Sequence, residues 1–241
     1  MIISKKFIPS LFTILNAFCG FASVINSSNK EFETAVLFIL YAAVFDVFDG
    51  LVARILDSAS DFGVELDSLS DIVSFGFAPA FLLYQFFFID YNASGILVAS
   101  LVLAFSAIRL AKFNISLTGY SKDVFYGIPT PMSALILCSY VIYFHNKIFT
   151  KEFSEVFIFV LTIAVSLLMV SNFRFPAMPS SFSLKAIKSN PLQFIFLFAG
   201  IMIIILTKGV AIFPIGLLYV LIGIIMTIFP SKKKKHLSQK N

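Results

Sequence analysis

The sequence predicts an all-α protein, a polytopic membrane bundle of about eight transmembrane helices. Hydrophobic residues make up 59% of the 241 residues and charged residues 13%, a balance typical of a chain surrounded by lipid. Apolar runs of about 17 residues or more recur from end to end. Each run is long enough to cross a hydrocarbon core about 30 Å thick as a helix, and no sizeable soluble domain fits between them.

The apolar runs are separated by short polar breaks. Residues 26–29 end the first run, the polar loop 56–62 separates the second from the third, and Pro129 with Pro131 marks either the start of the fifth or a kink in it. The first run has no small-residue cleavage site after it, so we expect it to remain as a membrane helix. The predicted spans are 7–26, 33–55, 67–88, 94–113, 128–146, 152–171, 191–207 and 209–229.

The division of the last apolar stretch is the least defined. Lys208 and Gly209 form the sole break within 191–229, so a re-entrant hairpin there is an alternative to two spans. In either case we expect one membrane domain over 1–230, followed by a basic tail over 231–241.

Lysine and arginine residues predict the orientation. An even number of spans places both termini on one side, where 14 of the 18 basic residues fall, whereas Lys30, Lys147, Lys151 and Lys208 fall on the other. We therefore expect a multi-pass protein of the cell (inner) membrane with both termini cytoplasmic. The net charge of +5 comes mainly from the tail, which suits a topology determinant or an anionic lipid surface and not a nucleic acid.

The acidic residues are concentrated in one segment. Seven of the 13 lie between positions 46 and 71, and part of that segment belongs to the second and third predicted spans. Insertion scales assign about 2.5 to 3.5 kcal/mol to one charged residue at a membrane helix centre, so several together require metals, cations or a wet cavity. A group of this kind indicates a functional site.

Helical spacing divides these residues into two stripes, because positions three and four apart share a face. The stripe on the second span is Asp46, Asp49, Gly50 and Ala53, and the stripe on the third is Gly63, Asp67 and Asp71. The short loop lets the two helices pack antiparallel, so the two pairs of carboxylates should face each other at the cytoplasmic mouth of a cavity. We expect Asp57, Asp61 and Glu65, in or beside the loop, to be solvated.

Oxygen ligands of this kind suit hard divalent ions such as Mg²⁺, Mn²⁺ or Ca²⁺. Arg54 can contact phosphate. The presence of Gly50 and Gly63 in helices is explained if a ligand approaches the backbone there. Two other interpretations are a structural ion-pair cluster, for which Arg54 is the one cation in the segment, and a divalent-cation transporter. The transporter explains the acids but not the spacing of the glycines and the arginine.

Read from Asp46, the segment runs D-V-F-D-G-L-V-A-R, then eight residues, then G-V-E-L-D-S-L-S-D. This pattern resembles the signature of the CDP-alcohol phosphatidyltransferase family over 46–71, with every fixed residue and spacing present. Further stretches resemble the phosphatidylserine synthase branch of that family. They are Pro9 with Thr13, Asn16 and Gly20, then RLAKFN at 109–114, YGIPTPMSA at 126–134 and SNFRFP at 171–176.

The resemblance implies transfer of a phosphatidyl group from CDP-diacylglycerol to L-serine, with Mg²⁺ or Mn²⁺ as cofactor. Asp46, Asp49 and Asp67 would bind one ion, and Asp71 would help to bind a second and act as the general base. The CDP-diacylglycerol pocket would be formed by Asp49, Gly50, Ala53, Arg54 and Gly63. The family also implies a homodimer among membrane lipids.

The acceptor is less well defined by the sequence. Serine carries a carboxylate and an ammonium, so its pocket should offer cations and polar groups, and the candidates near the cytoplasmic face are Arg109, Lys112, Asn114 and Arg174. A topology or headgroup role is an equal alternative for Arg109 and Arg174. Glycerol 3-phosphate and inositol phosphate are alternative acceptors within the same chemistry.

Overall fold

The computed structural model describes residues 7–58, 60–116, 124–145, 147–148, 150–176, 199–200 and 202–229. Within these residues the chain is a bundle of α-helices, as predicted. The helices are α1 (Phe7–Ser28), α2 (Phe32–Ile55), α3 (Asp61–Asp71), α4 (Ala78–Phe86), α5 (Asn92–Ser116), α6 (Thr130–Tyr143), α7 (Lys151–Val170) and α8 (Ile212–Ile228). A π-helical segment, Ile72–Phe77, joins α3 to α4, and a 3₁₀ turn, Phe88–Tyr91, precedes α5.

Five helical segments are long and apolar enough to cross a membrane, so the chain is a multi-pass membrane protein. They are Phe7–Ser28, Phe32–Ile55, Asp61–Phe86, Phe88–Ile115 and Lys151–Val170. α6 and α8 are apolar but shorter. Most of the predicted span 191–207 and the basic tail 231–241 lie outside the described residues, so the number of eight spans stays a prediction.

The helix of the third span begins at Asp61, six residues before the predicted span 67–88 and within the last two residues of the predicted loop 56–62. Ser60 has extended backbone, and its hydroxyl accepts a hydrogen bond from the Gly63 N–H at 3.1 Å. A serine in this geometry satisfies an N–H group that the first helical turn cannot. The polar first turns of α3 therefore form one helical segment with the apolar residues that continue to Phe86.

α1 packs beside α2 and also contacts α3, the π-helical segment and α4. Its buried face carries small and polar residues at helical spacing: Ser10, Thr13, Asn16, Cys19, Gly20, Ser23 and Ser27. Small side chains let membrane helices approach closely. At Gly20 a Cβ atom would lie 2.7 Å from the Ser74 Cα, so this glycine allows the contact between α1 and the π-helical segment.

A short antiparallel ribbon departs from the all-α prediction. Strands β1 (Val124–Tyr126) and β2 (Arg174–Pro176) pair with Phe125 opposite Phe175. Gly127 follows β1 with φ +77°, and a Cβ there would collide with the Met169 carbonyl oxygen. The Phe175 ring stacks on Tyr219 of α8 with centroids 5.4 Å apart, so the ribbon joins the end of α7 to the last described helix.

Candidate metal centre

Three carboxylates converge between α2 and α3. Asp46, Asp49 and Asp67 each offer one oxygen, and these oxygens all lie within 4.8 Å of one another. Asp49 lies one helical turn after Asp46, and Asp67 reaches them from the neighbouring helix, as the spacing predicts. Three oxygen ligands from two packed helices could hold a divalent metal ion.

The donor set fits a cation. Among the residues that the structure describes, the Asp49 Oδ2 and Asp67 Oδ1 atoms are buried and have no hydrogen-bond partner. Thr13 of α1 lines the same cavity as Asp49, and its hydroxyl donates a hydrogen bond to the Pro9 carbonyl oxygen at 3.3 Å. Buried carboxylate oxygens that lack donors are costly unless a cation neutralises them, so these atoms are suited to a metal ion.

Asp71 lies deeper, at the end of α3, and is 6% exposed. The Asn16 side-chain amide donates a hydrogen bond to its Oδ1 at 3.1 Å, and the Ser74 hydroxyl donates to the Asn16 carbonyl oxygen at 2.8 Å. Asp71 is adjacent to the π-helical segment, a type of irregularity that is frequent at functional sites. Its carboxylate is thus oriented by α1 and also interacts electrostatically with Asp46 and Asp67.

A cavity of about 150 Å³ opens beside the carboxylates. Its wall includes every small residue of the predicted stripes, and it is lined by Pro9, Ser10, Thr13, Asp49, Gly50, Ala53, Ser58, Ser60, Gly63, Val64 and Asp67. A Cβ at Gly63 would lie 3.3 Å from the Ser60 hydroxyl, a tight contact, whereas at Gly50 the nearest atom would be an Arg54 nitrogen at 3.8 Å. The backbone of both helices is therefore open to a ligand here.

Arg54 is exposed, and its Nε donates a hydrogen bond to the Gly50 carbonyl oxygen at 2.8 Å. This contact holds the guanidinium stem one turn along α2 from the cavity. A terminal nitrogen of the guanidinium also lies 3.8 Å from the position that a Cβ of Gly50 would occupy, so the group is near the edge of the cavity, where it could meet a charged group of a ligand.

Arg109 of α5 is a second cation at the site, which the count of cations within the acidic segment did not include. Its guanidinium interacts electrostatically with Asp71 and Asp46. Nη1 donates to the Thr130 hydroxyl at 3.2 Å, and the buried Nε has no hydrogen-bond partner in the described parts of the chain. The group lies 5.9 Å from the centre of the Phe113 ring.

The other three acceptor candidates have different surroundings. Asn114 donates a hydrogen bond to the Ser68 hydroxyl at 3.0 Å and so connects α5 to the acidic helix α3. Lys112 is exposed on α5. Arg174 is exposed on β2, and its backbone N–H donates to the Thr227 hydroxyl of α8 at 2.7 Å.

Among the polar residues at the site that had been given no role from the sequence are Thr13, Asn16, Ser68 and Thr130. Thr13 and Asn16 belong to the stretch of α1 that resembles the phosphatidylserine synthase branch, and their spacing places them on one face with the other buried polar positions of α1. Thr130 had no comparable signal, because its partner Arg109 lies on another helix.

Comparison with known proteins identifies the family of the chain. The family model for CDP-alcohol phosphatidyltransferases matches residues 6–156, a range that includes all four acids and Arg109. The chain belongs to the CDP-alcohol phosphatidyltransferase family. The family expected from the signature at 46–71 is thereby confirmed. The convergent carboxylates, which come from the two predicted stripes, lie within the matched range.

Curated relatives cover most of the chain. A CDP-diacylglycerol–serine O-phosphatidyltransferase of Helicobacter pylori is 34% identical over 223 residues, which is 92% of this chain and 91% of the relative. An archaetidylserine synthase of Methanothermobacter thermautotrophicus is 39% identical over 171 residues, 70% and 69% of the two chains. A CDP-diacylglycerol–serine O-phosphatidyltransferase of Bacillus subtilis is 34% identical over 171 residues, 71% and 90%.

Proposed function

We propose that this chain is an enzyme that transfers the phosphatidyl group of CDP-diacylglycerol to L-serine, giving phosphatidylserine and CMP. The observation that carries the proposal is the convergence of the Asp46, Asp49 and Asp67 carboxylates within 4.8 Å, beside a cavity lined by the glycines of the family signature. The names of the relatives support serine as the acceptor, because serine appears in the name of the archaetidylserine synthase and of both O-phosphatidyltransferases.

Asp46, Asp49 and Asp67 hold one divalent ion, Mg²⁺ or Mn²⁺, and Asp71 contributes to a second. When bound, such ions neutralise the charge of the diphosphate and make CMP a better leaving group. Asp49 Oδ2 and Asp67 Oδ1, which have no hydrogen-bond partner among the described residues, support this assignment. The other cavity residues, Gly50, Ala53 and Gly63, admit the CDP group, and Arg54 meets its phosphates.

Asp71 is the general base. It takes the proton of the serine hydroxyl while the serine oxygen attacks the β-phosphorus, and the bond from that phosphorus to the oxygen of CMP breaks. Asn16 holds one Asp71 oxygen by its 3.1 Å hydrogen bond, which leaves the other oxygen for the proton. Direct displacement needs no covalent enzyme intermediate, because each of the four acids already has a role.

Arg109 binds the carboxylate of serine. Arg109 interacts electrostatically with Asp71, so it lies near the base. Its buried Nε lacks a hydrogen-bond partner among the described residues, so this N–H can donate to the carboxylate of serine. Arg174, Lys112 and Asn114 are the remaining acceptor candidates. Of these, Asn114 is bonded to Ser68 next to Asp67, which favours a positioning role for it.

The assignment of Arg109 is tested by the dependence of the rate on serine. Arg109→Lys keeps the charge and loses the fork of donors, so the KM for serine should rise at least about tenfold while the KM for CDP-diacylglycerol changes little. Arg174→Ala should also raise the KM for serine more than that for the lipid. Equal changes in the two KM values would remove either residue from the acceptor pocket.

The membrane arrangement that we propose places the acid cluster and both termini on the cytoplasmic side of the inner membrane, with the chain acting as a homodimer. The unequal distribution of 14 against 4 basic residues supports the orientation. Labelling of single cysteines introduced at Asp61 and at Lys151 in intact cells distinguishes the two faces. A protected Asp61 position with a labelled Lys151 position is expected, and the reverse pattern would invert the topology.

The function is tested by CMP release from detergent-purified protein given CDP-diacylglycerol and Mn²⁺ or Mg²⁺. Serine, glycerol 3-phosphate and inositol phosphate are compared as acceptors. Serine-dependent release that a chelator abolishes, and that Asp71→Asn lowers by about 10² to 10⁴-fold, is expected. Release with another acceptor alone would replace serine in the proposal, and no release with any of the three would overturn it.

A further inference from the structure

A second cavity, of about 420 Å³, lies at the opposite end of α2 from the carboxylates. The turn between α1 and α2, the first turn of α2, the end of α4 and the end of α6 form its walls. At about 1.5 Å per residue, Phe32 at this end lies about 21 Å along the helix axis from Asp46. The cavity is thus separate from the metal centre and lies toward the other face of the membrane.

His145 lines this cavity and is 6% exposed. Its ring meets the rings of Phe86, Phe87 and Tyr140 edge-on, with centroids 5.3, 5.4 and 5.8 Å away. Within the described part of the chain its buried Nδ1 has no hydrogen-bond partner. Burial lowers the pKa of the imidazole and so favours its neutral form, with a smaller opposite effect from Glu155. An unpartnered Nδ1 favours the tautomer that carries its proton on Nε2, which leaves that N–H for a ligand.

Groups that attract anions surround the same cavity. Lys30 and Lys147 line its wall, and the Lys147 ammonium donates a hydrogen bond to the carbonyl oxygen of Ile142, also in the wall, at 2.6 Å. Lys30 has a left-handed backbone, φ +64°, at a helix C-terminus where glycine is usual. The first turn of α2 opens here, and within the described residues no side-chain cap bonds to its N–H groups. Free N–H groups at a helix N-terminus, together with two lysines and a histidine N–H, suit a phosphate.

The wall also carries carboxylates and apolar groups. Glu31 and Glu33 balance the charge of the two lysines, so a simple anion gains little net attraction. Phe32, Phe86 and Val141 supply apolar surface between the charged groups. A ligand that matches all three features has a phosphate, a positively charged group and a hydrocarbon part.

We propose that this cavity binds the headgroup of an aminophospholipid, with the phosphate held by Lys30, Lys147 and His145 and the ammonium held by Glu31 and Glu33. The lipid is bound from the membrane face opposite the metal centre. It is neither the donor lipid nor the acceptor of the transfer reaction, because about 21 Å of α2 separates the two sites.

The proposal is tested by binding and not by activity. Delipidated protein in detergent is titrated with phosphatidylethanolamine, phosphatidylserine, phosphatidylcholine or phosphatidylglycerol, and retained lipid is counted by native mass spectrometry. One molecule of phosphatidylethanolamine or phosphatidylserine should bind at least about tenfold more tightly than the other two lipids. Phosphatidylcholine lacks N–H donors for the glutamates, and phosphatidylglycerol lacks the positive charge.

Single substitutions locate the lipid. Lys147→Ala and Glu33→Gln, both at exposed positions, should each weaken this binding about tenfold. Lys151→Ala is the matched control, since Lys151 lies at the same end of the bundle in an exposed ion pair with Glu155, 3.9 Å apart, and does not line the cavity. His145→Phe preserves the aromatic packing and removes the N–H donor.

Three outcomes overturn the proposal. The first is equal retention of all four lipids by the wild type, which would mean general lipid association with the hydrophobic surface. The second is unchanged binding in Lys147→Ala and Glu33→Gln. The third is stabilisation by inorganic phosphate that depends on Lys147 while the aminophospholipids do not bind, which would assign the cavity to a free phosphate.

Discussion

Two groups of acidic residues lie between positions 46 and 71, and they have opposite surroundings. Asp49 and Asp71 are buried, and Asp46 and Asp67 are partly buried, all on the faces where α2, α3 and α1 meet. The second group, Asp57, Asp61 and Glu65, is exposed, as expected for acids in or beside a loop. The same side-chain chemistry therefore has different consequences, because three of the first group converge within 4.8 Å and the second group is solvated.

The difference shows that position on the helix face, and not the density of acids in the sequence, defines the site. Asp67 and Glu65 are two residues apart on α3 and point in different directions, since neighbours at that spacing do not share a helix face. The first group could hold the metal ion that we propose, whereas the second group has no part in that site. Substitutions in the two groups should consequently have effects on activity of different size and effects on stability of opposite sign.

The largest expected effect is on catalysis by Asp67→Asn. This change keeps the shape of the side chain and removes one of three carboxylate ligands, so CMP release should fall at least about 100-fold and require more Mn²⁺. Glu65→Gln is the matched control on the exposed face of α3 and should stay within about twofold of wild type. Rates measured over a range of Mn²⁺ concentrations test both variants. Equal losses in the two would mean that the charge of the whole segment matters and not the convergent group.

The next effect is on stability without metal. In the presence of a chelator the three carboxylates have no metal ion to neutralise them, and each one disfavours the ionisation of the others. Asp67→Asn should therefore raise the Tm by several degrees, and added Mn²⁺ should stabilise this variant less than wild type. Asp61→Asn should lower the Tm slightly, because Asp61 lies in the first turn of α3 near the positive end of the helix dipole.

Thermal unfolding of the chelated proteins decides this point. A Tm that falls in Asp67→Asn would show that cations of the chain, Arg109 among them, already neutralise the cluster and that no metal is needed for its stability. Wild type with and without Mn²⁺ provides the reference for the size of the metal effect.

The sequence predicted the two stripes because helical spacing is local, and it predicted that they face each other because the connecting loop is short. It could not provide the contacts from distant segments. Asn16 reaches Asp71 from α1 and Arg109 approaches it from α5, and each contact depends on how whole helices pack. The predicted third span began later than α3 does, because the first turns of α3 are polar and a hydropathy pattern does not distinguish them from a loop.

An intermediate effect is expected at the contact between α5 and α3. If Asn114 acts by holding Ser68 beside Asp67, then Asn114→Ala and Ser68→Ala should each lower kcat about fivefold, the equivalent of one hydrogen bond of about 1 kcal/mol. The double variant should be no worse than either single variant. Additive losses, or a rise in the KM for serine confined to Asn114→Ala, would instead make Asn114 part of the acceptor pocket.

The smallest effect is expected at the N-terminus of α3, where the Ser60 hydroxyl accepts a hydrogen bond from Gly63 at the edge of the cavity. Ser60→Ala should cost about 1 kcal/mol of stability, and it should weaken Mn²⁺ activation a few-fold because α3 carries a metal ligand. Thr150→Ala removes the equivalent cap of α7, where the hydroxyl accepts from Phe153 at 3.4 Å, far from the acidic residues in sequence. We expect a similar loss of Tm in both variants and altered Mn²⁺ activation in Ser60→Ala alone. That result would show that the cap of α3 positions the acids that this helix carries. Altered Mn²⁺ activation in both would mean that helix ends act through global stability.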